Sequence, residues 1–338
     1  MTIELKAPYL IFLGDEPERS HAKTGIGIAH WRPELCIGQH RLPGSGVDLK
    51  LPDLTPAEAA AKGAGSLIWG VAGVGGKIPP HWIRTLFDAV DAGLDIVAGT
   101  HASLTQIEGL ADAAKEAGVR LVDVRRPPPN LPVGSGDERS GMRLLTVGTD
   151  CVVGKKYTAL SIAKEMEARG MKADFRATGQ TGIMIAGGGI SIDAVVSDFV
   201  SGAAEVLSPA NDADHWDVIE GQGSLFHPGY AAVTLGLMHG SQPDAFVVCH
   251  EAGRKMVDAF PGYPLPDLPT LIEHTIASGK LTNRNIRCVG ASINTSHLDA
   301  AARKEYLDKV EKDIGLPAVD PVAIGVGRIV DYVVEQYG

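Results

Sequence analysis

One stretch limits the possible folds more than any other: RLLTVGTDCVVGKKYTALSIAKEM, residues 143–166. An apolar run of strand character ends on Gly148, a turn bounded by Gly148 and Gly154 follows, and Lys155 opens a helical pattern that Gly170 stops. A strand that feeds through a glycine turn into a helix is half of a crossover unit, whose next strand lies parallel to the first. The turn also carries chemistry. Glycines let backbone N–H groups point inward, the helix N-terminus adds partial positive charge, and lysine neutralises an anion. Gly148, Thr149, Asp150, Cys151, Val152, Val153, Gly154, Lys155 and Lys156 are therefore candidates for holding a phosphorylated ligand.

The same alternation runs through the rest of the chain on both sides of a seam. RRPPPNLPVGSGDERSGM, residues 125–142, has three consecutive prolines, then glycine, serine and charge, and cannot form a helix or a central strand. Before it, strands are expected at 8–14, 34–39, 66–71, 95–99 and 120–124, with helices at 81–94 and 106–118. This half reads as a Rossmann-like parallel sheet. After it, strands are expected at 143–148, 172–178, 216–221, 244–250 and 286–294, and helices at 155–169, 193–207 and 299–315. Residues 179–189 read as a glycine-rich loop, and Asp320-Pro321 as the cap and first turn of a last helix. The chain is α/β, with an N-terminal domain at 1–130, a linker at 131–142 and a second domain at 143–338.

Composition narrows the function classes. The chain has 338 residues and a net charge of −10, which argues against a general nucleic-acid or membrane-surface binder, though a local basic pocket can still capture a small anion. Its four cysteines are scattered with no CxxC pair, so no zinc site or disulfide framework is expected. The N-terminus has one short apolar run bordered by acids, unlike a signal peptide, and no stretch has the length of a membrane span. A cytoplasmic location is expected.

Two features separate the loop from the usual phosphate-binding pattern. Five residues, not four, lie between its glycines, and Lys156 stands where a Ser or Thr would hold magnesium. An ammonium group repels a metal ion, and Thr158 is two residues further along the helix and faces elsewhere. GTDCVVGK resembles the GTDxxxGKT loop of dethiobiotin synthetase and its P-loop relatives. EGQGS, residues 220–224, resembles the EGxGG segment of that group, where an acid at a strand end faces the loop and substrate. With AKTGIGIAHWRPE (22–34) and GLDIVAGTHASL (93–104) in the first half, nearly the whole chain resembles a P-loop family long catalogued without a function. One branch of that family comprises D-glutamate N-acetyltransferases.

The resemblance implies a Rossmann-like domain followed by a P-loop NTPase-like α/β domain, and acetyl transfer from acetyl-CoA to the amine of D-glutamate, without a metal. The loop 148–156 would then cradle the CoA phosphates. Arg176, Arg254 and Lys255 would meet the substrate carboxylates, with Gln180 and Ser224 beside them. Glu220 or His227 would take the proton from the amine, with Asp193 or His250 in reserve. Amides of Gly221–Ser224 or of 179–182 would stabilise the oxyanion. A helix N-terminus would lower the pKa of Cys151, which makes a covalent acetyl-cysteine conceivable, although a small loop-filling side chain is the simpler reading. In the first half, VAGVGGK (71–77) is a weak dinucleotide-like signal, and Lys23, Arg32 and His101 are candidates to line an interdomain cleft. A homodimer is expected by analogy. The competing classes are an ATP- and magnesium-dependent ligase or kinase of the dethiobiotin-synthetase type, with Asp150 and Glu220 as its magnesium residues, and a nucleotide-sensing regulator.

Overall fold

The computed structural model describes residues 3–71, 78–100 and 102–338, so VAGVGGK from 72 onward and His101 lie outside the described residues. The chain forms two compact units. One comprises Met1–Pro127 with Gln180–Ser191; the other comprises Pro128–Gly179 with Ile192–Gly338.

In the first unit, strands β1 (Tyr9–Gly14), β2 (Cys36–Arg41), β3 (Ser66–Trp69), β4 (Asp95–Ala98) and β5 (Leu121–Asp123) form one parallel sheet in the order β2-β1-β3-β4-β5. β1, β3 and β4 are buried along their whole length, as a sheet covered on both faces requires. Helices α1 (Lys23–Trp31), α2 (Pro56–Ala61), α3 (Pro80–Asp91) and α4 (Leu110–Ala117) connect the strands. α2 starts on a complete capping box, with Thr55 and Glu58 bonded reciprocally and Pro56 in the first turn. The helix expected at 106–118 is instead a 3-10 turn at Leu104–Gln106 followed by α4, because Gly109 enters the left-handed region between them.

In the second unit, β6 (Met142–Gly148), β7 (Ala173–Arg176), β8 (Trp216–Ile219), β9 (Ala245–Glu251), β12 (Arg287–Asn294) and β13 (Ala318–Val319) form a parallel sheet in the order β13-β12-β9-β6-β8-β7. α5 (Lys155–Ala168) and α11 (Gly327–Tyr337) cover one face, where Ile162, Met166, Ile329 and Val330 close over Leu144, Val218, Val247 and Val289. β10 (Met256–Val257) and β11 (Phe260–Pro264) make a separate antiparallel hairpin. α7 (Val200–Leu207), α8 (Ala231–Ser241), α9 (Leu268–Gly279) and α10 (Ala300–Ile314) complete the unit. The proline-rich stretch is held to it: Glu205 accepts from the Ser135 and Gly136 N–H groups, and Arg139 donates to the Ser208 and Gly240 carbonyls.

Three further expectations need correction. Residues 179–189 are not simply a loop: Gln180–Ala186 form helix α6, whose Ile183, Met184 and Ile185 are buried. The helix expected at 193–207 starts only at Val200, after 3-10 turns at Ile192–Ala194 and Ser197–Phe199. Asp320 does not cap the last helix. Its carboxylate accepts from the Thr295, Val322 and Ala323 N–H groups, and α11 begins at Gly327.

Candidate functional site

The glycine turn follows the central strand β6, at the carboxyl end of a parallel sheet. The chain winds to one side of β6 as β7 and β8 and to the other as β9, β12 and β13, so the turn sits where the winding reverses. Ligands favour that position in open α/β sheets. Gly148 pairs with Cys249 of β9, and the Thr149 N–H donates to the Cys249 carbonyl at 3.0 Å. Beyond that point the loop leaves the sheet. Val152 is 68% exposed and has φ 55°, a region a β-branched residue enters only under strain. Gly154 follows with φ 105° and supplies no side-chain cap, so the first-turn N–H groups of α5 face outward, suited to an anion.

Lys155 is buried, and its Nζ donates to the Asp150 carbonyl at 2.7 Å. Burial pushes its pKa down, which makes a nearby anion the natural partner of its charge. Asp150 is fully buried and ties the loop together. Its Oδ1 accepts from the Cys151 N–H at 2.6 Å, and its Oδ2 from the Asp258 N–H at 2.8 Å and Arg254 at 3.1 Å. Arg254 also donates to the Cys151 carbonyl and pairs with Glu251. Cys151 does not become a ready nucleophile: burial raises its thiol pKa and outweighs the pull of Lys155.

The EGQGS segment meets this loop. Ser224 Oγ donates to the Thr149 carbonyl at 3.0 Å, and the Gly221 N–H donates to Thr146 Oγ1 at 2.9 Å. Glu220, at the end of β8, is buried, and its Oε2 accepts from the Thr178 and Gly179 N–H groups at 3.0 and 3.1 Å. Burial raises its pKa against the opposing pull of Lys156, those two N–H groups and Lys155. A carboxylate that holds a proton more tightly than usual suits a general base. His227 is also buried, between Tyr230 and Phe260, with Nε2 4.0 Å from Asp150 Oδ1. Its Nδ1 accepts from the Gly229 N–H at 3.0 Å, so the neutral ring carries its proton on Nε2 and has no spare lone pair. That geometry engages Nδ1 and leaves Nε2 facing Asp150 at 4.0 Å, beyond hydrogen-bond distance. His250 bonds to Thr149 Oγ1 through Nδ1 at 2.9 Å, and burial, with Arg254 nearby, lowers its pKa to about 4. It is a weak base.

The remaining candidates scatter. Arg176 is committed to Asp217 at 2.8 Å and Asp174 at 3.2 Å, which places it in an ion-pair cluster with His215 rather than at the loop. Lys255 is exposed. Gln180 opens α6 in the first unit, beside Gly99, with its Oε1 buried and without a partner among the described residues. Asp193 lies in a 3-10 turn, Lys23 opens α1, and Arg32 binds Glu34 and the Ile185 carbonyl. Of the oxyanion amides, Gly221 is taken by Thr146 and Gly179 by Glu220. Thr178, Asp258 and Tyr230 gave no signal in sequence, because neither their spacing nor their type marks them.

Asp150, Cys151 and His227 place possible metal donors within 4.8 Å of one another. Asp150 already accepts three hydrogen bonds there, one from a guanidinium, so a cation would meet Arg254's charge. No hydroxyl at the start of α5 replaces the missing ligand, since Thr158 Oγ1 turns to the Gly154 carbonyl at 3.1 Å and Ser292 at 2.7 Å. Among the described residues, no helix is long and apolar enough to cross a membrane.

Residues 132–330 match a family model described as a domain of unknown function, the DUF1611 P-loop domain, and residues 41–127 match its N-terminal Rossmann-like domain. A protein of Tritonibacter scottomollicae named D-glutamate N-acetyltransferase is 48% identical over 97% of this chain and 98% of its own length. A Pseudoalteromonas protein of the same name is 43% identical over 97% and 99%. The crystal structure of a DUF1611 family protein from Anabaena variabilis superposes with a TM-score of 0.83 at 34% identity, covering 97% of this chain and 99% of that one.

Proposed function

This chain belongs to the DUF1611 family, and we propose that it is an N-acetyltransferase moving the acetyl group of acetyl-CoA to the amine of D-glutamate. The observation that carries this reading is the near full-length identity of 48% and 43% to two proteins bearing that name. The loop supports it independently. Lys155, Lys156 and the uncapped first turn of α5 fit phosphates held as a handle, and the absence of a hydroxyl at position 156 fits poorly with magnesium-dependent phosphate cleavage.

Acetyl-CoA supplies an acyl group already activated as a thioester. Glu220 takes the proton that the ammonium group must shed before its nitrogen can attack. The transfer replaces the C–S bond by a C–N bond. The nitrogen sheds a second proton as the amide forms; one of the two protons passes to the departing sulfur to give the free CoA thiol, and the other is released to solvent. Arg254, bonded to Asp150, Glu251 and the Cys151 carbonyl beside the loop, is the cation we assign to a substrate carboxylate, which would have to compete with those partners.

Incubation with acetyl-CoA and D-glutamate in EDTA should release free CoA thiol and N-acetyl-D-glutamate, read by thiol titration and mass spectrometry. A strict requirement for ATP and magnesium would overturn the reading. Lys155→Ala should weaken acetyl-CoA binding about tenfold or more, the scale of a charge-assisted bond. Unchanged affinity would show that the loop does not hold the phosphates.

A further inference from the structure

A concave feature adjoins the loop. A pocket of about 310 Å³ lies within the second unit, lined by Val153, Gly154 and Tyr157 of the loop and α5, by Asn294, Ser296 and Arg303, and by Pro321, Val322 and Ala323 among others. Its size suits one heterocycle with its sugar, near the lower end of the range for small-molecule sites, roughly 300 Å³. The walls are braced. Buried Asp320 accepts from Thr295 on one side and from the Val322 and Ala323 N–H groups on the other, so the loops after β12 and β13 are tied together.

Topology fixes which end of a long phosphorylated ligand belongs here. Glu220 follows β8, on one side of the central strand β6, whereas the pocket follows β12 and β13, on the other. A diphosphate gripped by the loop after β6 therefore sends its reactive arm one way and its remaining end the other. The pocket's chemistry agrees. Val153, Pro321, Val322 and Ala323 offer apolar surface, and Tyr157 an aromatic ring. Asn294 Oδ1 is fixed by the Ser296 N–H at 3.1 Å, which leaves the amide NH2 to donate. Val322 is 73% exposed on the rim, apolar surface that a ligand would cover. Arg303 is the informative residue. It is only partly exposed and bonds Thr295 Oγ1 at 2.9 Å and the Leu298 carbonyl at 3.4 Å, but forms no ion pair among the described residues. Asp320 also lines the pocket, but its carboxylate is taken up by Thr295 and by the Val322 and Ala323 N–H groups, so the Arg303 guanidinium has no direct carboxylate partner among the described residues and suits an anionic ligand.

Resting on the acetyl-CoA reading above, we propose that this pocket holds the adenosine end of the donor, with Arg303 binding its 3′-phosphate. The probes are free CoA and 3′-dephospho-CoA, which differ only in that phosphate, titrated calorimetrically into the full chain. Wild type should bind CoA at least about tenfold more tightly. Arg303→Ala should erase that preference while leaving 3′-dephospho-CoA affinity within about twofold of wild type. Val322→Trp, at an exposed rim position, should fill the mouth and weaken both ligands, and it decides the matter should Arg303→Ala fail to fold. Equal wild-type affinity for the two forms, or wild-type CoA binding by Val322→Trp, overturns the proposal. Acetyl transfer that proceeds without the 3′-phosphate preference would leave the enzyme reading standing and remove the pocket. The preference without any acetyl transfer would do the reverse.

Discussion

At the scale of single residues, Glu220 is where opposing effects are resolved. Two backbone N–H groups and two lysines favour its charged form, burial disfavours it, and burial wins. Glu220→Gln keeps an oxygen acceptor for Thr178 and Gly179 but removes the base. Turnover should fall about 100-fold or more while acetyl-CoA affinity stays close to wild type; normal turnover would remove Glu220 from that role. The same shift fixes a pH dependence of stability. The folded pKa lies above the unfolded one, so this group's stabilisation is complete below the unfolded value and lost as pH rises through the folded value. The melting temperature of Glu220→Gln should therefore gain on wild type as pH rises from acid to neutral, and a constant difference would refute the shift. His250 runs oppositely: with its pKa lowered from 6.5 to about 4, its contribution is present above 6.5 and lost as pH falls toward 4. Much of this was legible at the loop. The Lys156 substitution and the distance of Thr158 from a metal position are both visible in GTDCVVGKKYT. The commitment of Arg176 to Asp217, and of the His227 lone pair to Gly229, were not, because each depends on partners that only the folded chain brings near.

At the scale of elements, the turn after β8 shows how tightly the two motifs fit. A Cβ on Gly221 would lie 1.6 Å from the Thr146 carbonyl oxygen, a backbone atom that cannot rotate away. Gly221→Ala should cost at least about 4 kcal/mol or abolish folding, measured as the urea midpoint. Gly229→Ala, whose Cβ would approach nothing nearer than 3.7 Å, should stay within about 0.5 kcal/mol of wild type. A wild-type midpoint for Gly221→Ala would mean that β6 and the turn do not meet so closely. α10 was readable because the Asp299 cap, the spacing and the Gly315 stop agreed, and α5 because a glycine turn and Gly170 bracket its length. α6 was not. Gly182 within it and the glycines around it lower helix propensity, and the burial of Ile183, Met184 and Ile185 against α1 overrides that. α2 carries a plain start signal, Thr55-Pro56 with Glu58, but its six residues are too few to show a helical period.

At the scale of the whole molecule, α6 also breaks the simple two-part division of the sequence. It lies in the sequence of the second half, yet it belongs to the first unit. Thr181 Oγ1 meets Thr24 Oγ1 at 3.1 Å, and Arg32 donates to the Ile185 carbonyl at 3.1 Å, in both cases across more than 150 residues of chain. No local pattern announces so distant a pairing. The consequence reaches the site, because Thr178 and Gly179, whose N–H groups hold the Glu220 carboxylate, directly precede α6 in the chain. A fragment spanning residues 128–338 keeps the glycine turn, the β6–β9 pairing and the pocket after β12, but strips α6 of α1. Its amides at 181–187 should exchange with deuterium far faster than in the full chain, while those of β6, β9 and β12 stay protected. The fragment should therefore retain CoA binding and lose acetyl transfer, since the phosphate cradle survives while the base loses its anchor. Equal protection of α6 in fragment and full chain would show that the second unit holds it unaided. A fragment that still transfers acetyl at the full rate would show that Glu220 does not depend on it.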